Sequence, residues 1–287
     1  MTAIYPIYYW SSKGLISNIH LRNFALVMLP VIIVSFFTSK SNLQIEYDRE
    51  NVVNNTSYLF VALMPFLFLI KNKNLSLIIL FALLAFLVIG AKRGALIIGS
   101  VNTVIILFYN LKYMQSKNWK ARMRNVLLFT IVFSIGMIYL SDIIESNSYV
   151  FERLENNQST RPENYTALFN NWYNSTSIHH ILFGYGYYSS PLYTPEKGMA
   201  HNDWLEMLND FGLFGFILYA VLIISFIKLF KNKWPIDLKY MHITIIISWI
   251  FISLLSMWVN NYMNIMYAIL MGYLVGNVIQ NKRLLGK

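Results

Sequence analysis

Three groups of residues have the types and spacing to hold an anion or move a proton. The first is Ala91-Lys92-Arg93-Gly94-Ala95, two cations between the apolar runs Leu75 to Ile89 and Ala95 to Phe108. A basic residue at mid-bilayer costs roughly 2.5–3.5 kcal/mol on insertion scales, so the pair belongs at an interface, in a tight hairpin. Gly94 is expected to permit that turn. A snorkelling anchor explains the pair as well as an anion site does. Arginine's planar fork, however, matches phosphate oxygens. The second group is Arg153 and Arg161, with Pro162 fixing the backbone beside Arg161. Either is, on its own, most simply a solvated surface arginine.

The third group is His201-Asn202, then nine residues, then Gly212-Leu213-Phe214-Gly215. Asp203-Trp204-Leu205-Glu206 reads as a capped helix start, with Asp203 as cap and Glu206 reaching back. A helix start presents free amides to an anion. His201 would stand just outside it, at the outer membrane surface, most simply as an interfacial histidine bonded to a loop carbonyl. Gly212 and Gly215 are expected to let a neighbouring helix pack closely. Phe183-Gly184-Tyr185-Gly186-Tyr187 is a glycine-aromatic turn without the lysine of a nucleotide loop. No histidine and carboxylate spacing, including that at His179-His180, makes a metal site.

These residues need elements to carry them, and composition says which. The chain has 287 residues, 56% hydrophobic and 13% charged, against about 25% charged in soluble domains. It has no cysteine, which excludes a disulfide frame. A spanning helix needs roughly 17–25 mainly apolar residues. Eight such runs are expected, at about 21–37, 57–70, 74–90, 94–110, 124–140, 211–230, 240–258 and 263–279. The fold expected is therefore an all-α polytopic bundle, one membrane domain over 1–287, with a large outside loop at 141–210. The predicted span interiors hold no Asp, Glu, Lys or Arg, which argues against an ion-coupled transporter.

Lys and Arg set the orientation. With both ends inside, 16 of the 23 basic residues lie on the cytoplasmic side against a single acid, Asp237. The other side takes 7 basic residues and 12 of the 13 acids. The net charge of +10 is thus an orientation signal, and nucleic acid is not needed to explain it. Arg93, Arg161 and His201 all fall outside. The 141–210 loop is rich in Asn, Tyr, Ser and Trp, which suit sugar recognition and an ordinary polar loop equally.

Taken in order, the basic-Arg-Gly-Ala hairpin, the loop arginines, Phe-Gly-Tyr-Gly and His-Asn-x(nine)-Gly-x-x-Gly resemble the O-antigen ligase and O-antigen polymerase superfamily. Asn54-Asn55 ahead of Pro65 is similar to a weaker family feature. The resemblance covers roughly residues 50–230. It implies a glycosyltransferase of a bacterial inner membrane, working on the periplasmic face. The donor would be a glycan on undecaprenyl pyrophosphate, and the acceptor lipid A-core or a growing polysaccharide. It also implies His201 as the catalytic base and Arg93 with Arg161 as pyrophosphate ligands. Lys92 and Arg153 are further candidates, and Asn202, Asp203 and Glu206 support. Neither cofactor nor metal is implied, and an in-line attack would invert the anomeric centre. Two departures stand: members usually carry a small polar residue at the Lys92 position, and commonly ten or more spans. A lipid-linked sugar transporter and an inactive, truncated member are the alternatives.

Overall fold

A computed structural model of the chain describes residues 3–47, 53–113, 161–195, 197–229, 234–258 and 264–284. Among these, every regular element is helical. In chain order they are α1 (Ile4–Ser12), α2 (Asn18–Tyr47), α3 (Ser57–Leu63), a 3-10 segment (Met64–Leu69), α4 (Lys73–Ile89), α5 (Arg93–Tyr113) and α6 (Arg161–Tyr173). There follow α7 (Ile178–Phe183), α8 (Ser190–Tyr193), α9 (Asp203–Lys228), α10 (Ile236–Leu255) and α11 (Ile265–Leu284). Four of them, α2, α5, α9 and α10, are long and apolar enough to cross a membrane. The span expected at 124–140, the loop up to 160 and Arg153 lie outside the described residues.

The described residues form two compact units. One holds Met1–Asn157, Ile236–Thr244 and Ile265–Lys287, the other Gln158–Pro235 and Ile245–Asn264. In the first, α1 lies on α11. Gly272 and Gly276 permit this, since a Cβ at either would sit 2.6 or 2.7 Å from the Ile4 or Tyr8 carbonyl oxygen of α1. This small-xxx-small pair is a signal the sequence reading passed over.

The run expected as a span at 57–70 is a shorter element. The α-helix stops at Leu63 and the chain tightens to 3-10 over Met64–Leu69, around Pro65. Seven α and six 3-10 residues rise about 22 Å, short of the ~30 Å hydrocarbon core. Residues 60–70 are all buried, so this piece fills a protein interior. Two polar side chains serve it. Asn54 donates Nδ2 to the Phe36 carbonyl at 2.9 Å and accepts from the Thr56 amide, at the other end of its amide group, at 2.9 Å. Ser76 donates its hydroxyl to the Leu67 carbonyl at 3.3 Å, and Asn110 Nδ2 donates to Ser76 at 3.2 Å.

In the second unit the key event is a break in α9. The helix begins at Asp203, eight residues before the span boundary drawn from composition, and so includes the buried acids Asp203, Glu206 and Asp210. At Gly212 the backbone leaves the helical region (φ 65°, ψ −163°), a conformation open to glycine alone. Gly184, at the end of α7, takes nearly the same angles (φ 75°, ψ −167°). The two glycines face each other. A Cβ on Gly212 would lie 2.5 Å from the Leu182 carbonyl oxygen, and one on Gly184 2.5 Å from that of Asp210. Carbonyls freed by the break are taken up at once: the Tyr185 amide donates to Asn209 O and the Gly186 amide to Asp210 O, both at 2.9 Å.

The expectation that Gly212 and Gly215 serve a neighbouring helix face is therefore corrected. Gly212 breaks its own helix to receive a loop backbone. Gly215 makes room for the Phe211 side chain, whose Cβ a residue-215 Cβ would approach to 2.2 Å.

Gly212→Ala adds both strain and a backbone clash, so it should cost at least roughly 1–3 kcal/mol. Gly198→Ala, where a Cβ meets open space, should stay within about 0.5 kcal/mol. Unfolding midpoints of the two purified variants in one detergent test this, and equal midpoints would remove the glycine lock from the account.

Candidate functional site

The expected site residues fall in both units. Lys92 and Arg93 belong to the first. Their hairpin joins α4 to α5, and the turn is made differently from the expectation. Ala91 carries the left-handed conformation (φ 50°), while Gly94 is already helical, the second residue of α5. Gly94 is needed for space: a Cβ there would lie 2.2 Å from the hydroxyl of buried Tyr58. The hairpin is held from below by the Asn54 amide, which donates to the Gly90 carbonyl at 3.0 Å. Asn54 thus ties the Lys92-Arg93 turn to α2 and to the start of α3. Arg93 opens α5, and helical side chains lean toward the N-terminus. Lys92 and Arg93 are both partly exposed.

In the second unit, Arg161 and the His201-Asn202 turn meet at one place, the C-terminus of α10. The last carbonyls of a helix have no partner within it. Arg161 Nη1 donates to Leu255 O at 3.0 Å, and Asn202 Nδ2 donates to Leu254 O at 3.4 Å. A guanidinium at a helix C-terminus also meets the negative end of its dipole. Residues some forty apart in sequence therefore share adjacent carbonyls of a third element.

The start of α9 differs by one residue from the expected capping box. The cap is Asn202, whose Oδ1 accepts from the Trp204 and Leu205 amides at 3.0 and 3.3 Å. Asp203 is turned inward. Its Oδ2 accepts from the Tyr219 hydroxyl at 3.0 Å and the Trp258 amide at 2.7 Å, and Trp249 Nε1 donates to Tyr219 at 2.9 Å. Asparagine and aspartate cap about equally well, so the buried donors decide which does it. Glu206 does reach back, but to the Ala200 amide, whose hydrogen it accepts at 2.6 Å.

His201 sits between these clamps. Its backbone is left-handed (φ 57°) and its side chain is exposed. Histidine is one of the few residue types that visit this region readily, and observed strain of this sort clusters at working sites. Glu206 on the amide before it and Asn202 capping after it leave the chain little alternative. Glu206 holds the amide one residue before His201, and Asp203 holds Tyr219 and Trp258.

A buried polar cluster that the sequence does not announce centres on Asp210. Asp210, buried in α9, accepts through Oδ2 from the Tyr188 amide at 2.8 Å. Its Oδ1 accepts from the amides of Ser189 and Ser190 and from both their hydroxyls, at 2.8 to 3.2 Å. Asn209 Nδ2 donates to Ser189 Oγ at 2.9 Å, and Asn171 Nδ2 donates to Asn209 Oδ1 at 3.0 Å. This holds α8 against α9 and forces Tyr188 into positive φ (62°). The signal was an Asn-Asp pair directly before an apolar run, where a surface reading looked sufficient. Among the described residues no three His, Asp or Glu side chains converge as a metal site would need.

No protein-family model matches this chain, and no curated protein matches it in sequence.

Replacing Asn202 by Ala removes a helix cap and a bond to α10 together. It should destabilise by about 0.5–2 kcal/mol for the cap alone. Asn202→Asp keeps the cap but puts a carboxylate beside the α10 carbonyls, and should recover only part of the loss. Thermal unfolding of the wild type and both variants in detergent reads this. Full recovery by Asp would show that the Leu254 contact contributes nothing.

Proposed function

We propose that this chain is a membrane glycosyltransferase of the O-antigen ligase or polymerase type. It would move a glycan from undecaprenyl pyrophosphate to an acceptor hydroxyl on the outer face of a bacterial inner membrane. The observation that carries the reading is the meeting of Arg161 with the strained, exposed His201 turn on adjacent α10 carbonyls. Arg161 and the His201 turn share this end of α10 through side-chain bonds to its carbonyls, which supports a proton acceptor and an anion ligand acting together.

In this reading His201 takes the proton from the acceptor hydroxyl, the general-base role that histidine fills most often. The acceptor oxygen forms a bond to the anomeric carbon as the bond from that carbon to the pyrophosphate oxygen breaks. The electron pair leaves with undecaprenyl pyrophosphate, and the proton stays on the imidazole. Arg161 offsets the charge on the departing pyrophosphate, and Arg93 is the further pyrophosphate ligand that the resemblance alone implies. Lys92 adds a positive charge beside Arg93. Acceptor identity, lipid A-core or a growing chain, separates ligase from polymerase and follows from whichever hydroxyl reaches His201.

The transporter alternative gains little from the acids inside α9. Asp203, Glu206 and Asp210 each accept from backbone amides, so they serve as structural acceptors.

The test is surface glycan in cells carrying single replacements, at matched protein level. His201→Ala should lower transfer by roughly 10²–10⁴-fold, the usual contribution of a general base. Arg161→Ala and Arg93→Ala should each lose about 10²–10³-fold, and Lys at either position should restore little, since it lacks the fork. If His201→Ala and Arg93→Ala both leave glycan length and attachment unchanged, the reading is wrong.

A further inference from the structure

We propose that α7 and the kink of α9 form a shelf embedded in the bilayer interface, so that part of the segment read as a soluble loop is held in lipid. The observation is an uncovered apolar face. Ile178 is 73% exposed, Leu182 40% and Phe183 53%, on a helix of only six residues. Ile178 and Leu182 are four apart and share one side of the helix. The opposite side is used internally: the His180 ring packs on Tyr185 at 4.4 Å, and Trp172 Nε1 donates to the Ile181 carbonyl at 3.0 Å. Such side chains gain free energy when they leave water. A contiguous set left in water marks a contact surface.

Continuity identifies the occupant. Phe183 meets Phe214 of α9, ring centroids 6.1 Å apart. Phe214 begins the exposed apolar side of α9, which runs on through Ile217, Leu218 and Val221. That side faces lipid wherever α9 crosses a membrane, and α9 is one of the four helices able to do so. The α7 surface joins it through the Phe183–Phe214 contact, with exposed His179 packed beside Phe183 at 5.5 Å between ring centroids. At the junction Tyr187 lies 6.4 Å from Phe211, both exposed, the residue types that gather where apolar and wet regions meet. A glycan surface would be built otherwise. Sugar sites need convergent polar groups, whereas Ile178 and Leu182 offer only methyls.

The shelf also has a mechanical consequence. Gly184 and Gly212 interlock α7 with α9, and the Tyr185 and Gly186 amides bond the two at 2.9 Å. Whatever depth α7 takes in the bilayer is imposed on α9. Ten residues of helix separate the kink from Asn202, about 15 Å of rise, which fixes the height of His201 above the lipid. The proposal rests on α9 crossing the bilayer and stands independently of the transferase reading.

Absence of cysteine makes the test clean. Single variants Ile178→Cys, Leu182→Cys and Phe183→Cys carry a nitroxide in phosphatidylethanolamine–phosphatidylglycerol vesicles. Leu218→Cys is the lipid reference; Asn174→Cys and Lys197→Cys are the water references. Power saturation compares accessibility to oxygen, which enters lipid, with that to a neutral nickel chelate, which does not. The oxygen-to-nickel ratio at all three α7 sites should resemble Leu218 and exceed Lys197 severalfold. A ratio matching Lys197 and Asn174 overturns the proposal and leaves the face open to a glycan. Labels reached by neither reagent overturn it too, since protein then covers the face. A Leu218 label that reads as water overturns it together with the span.

Discussion

A helix that stops or bends in apolar surroundings leaves carbonyls that water cannot reach, and each must find a donor inside the protein. This one constraint organises both units. The break at Gly212 offers Asn209 O and Asp210 O, which take the Tyr185 and Gly186 amides. The end of α10 offers Leu254 O and Leu255 O, which take Asn202 and Arg161. The 3-10 segment offers Leu67 O to Ser76, and the α4–α5 turn offers Gly90 O to the Asn54 amide. Asn202, Arg161 and the Asn54-bound Lys92-Arg93 turn lie at these interruptions, where free carbonyls call for donors.

That coupling has a cost for interpretation and a benefit for chemistry. Arg161 is a helix C-cap as well as a phosphate ligand in the proposed reaction, so its loss alone does not separate the two roles. Its rigidity is the benefit. An arginine already ordered by Leu255 O gives up less side-chain freedom on meeting an anion than one waving in solvent. The same holds for Arg93, whose hairpin is fixed by Asn54, Tyr58 and the turn at Ala91.

Much of this was legible in the sequence, and the failures have physical causes. Apolar length found α2, α5, α9 and α10, since crossing a bilayer leaves a compositional mark. It overextended 57–70, because a run buried in protein and a run buried in lipid look alike until Pro65 is seen to tighten the turn. The α9 boundary was placed late because Asp203, Glu206 and Asp210 look like surface residues; only their donors show them to be interior. Gly212 was legible as a special position but not as a break, since the reason for the break, the Gly184 backbone, lies 28 residues away in sequence. Gly94 was assigned the turn that Ala91 makes, as nothing in the sequence reveals Tyr58 above it. The juxtaposition of Arg161 with His201 could not be read at all, because it depends on α10, which carries no chemical signal of its own.

The left-handed backbone at His201 is the sharpest remaining feature. Left-handed φ at a non-glycine residue costs free energy of order 1–3 kcal/mol, so the fold must over-determine it. It does so from both sides: Glu206 accepts from Ala200, one residue before, and Asn202 caps α9 and reaches α10, one residue after. A chain wanting only a helix start had no need of this, because Asn202 caps without any strain in the residue ahead of it. A chain wanting only an interfacial histidine could have set it in the relaxed region. The conformation sets an exposed His201 between two anchored residues. The result is an exposed histidine whose backbone is anchored on both sides, by Glu206 through Ala200 and by Asn202.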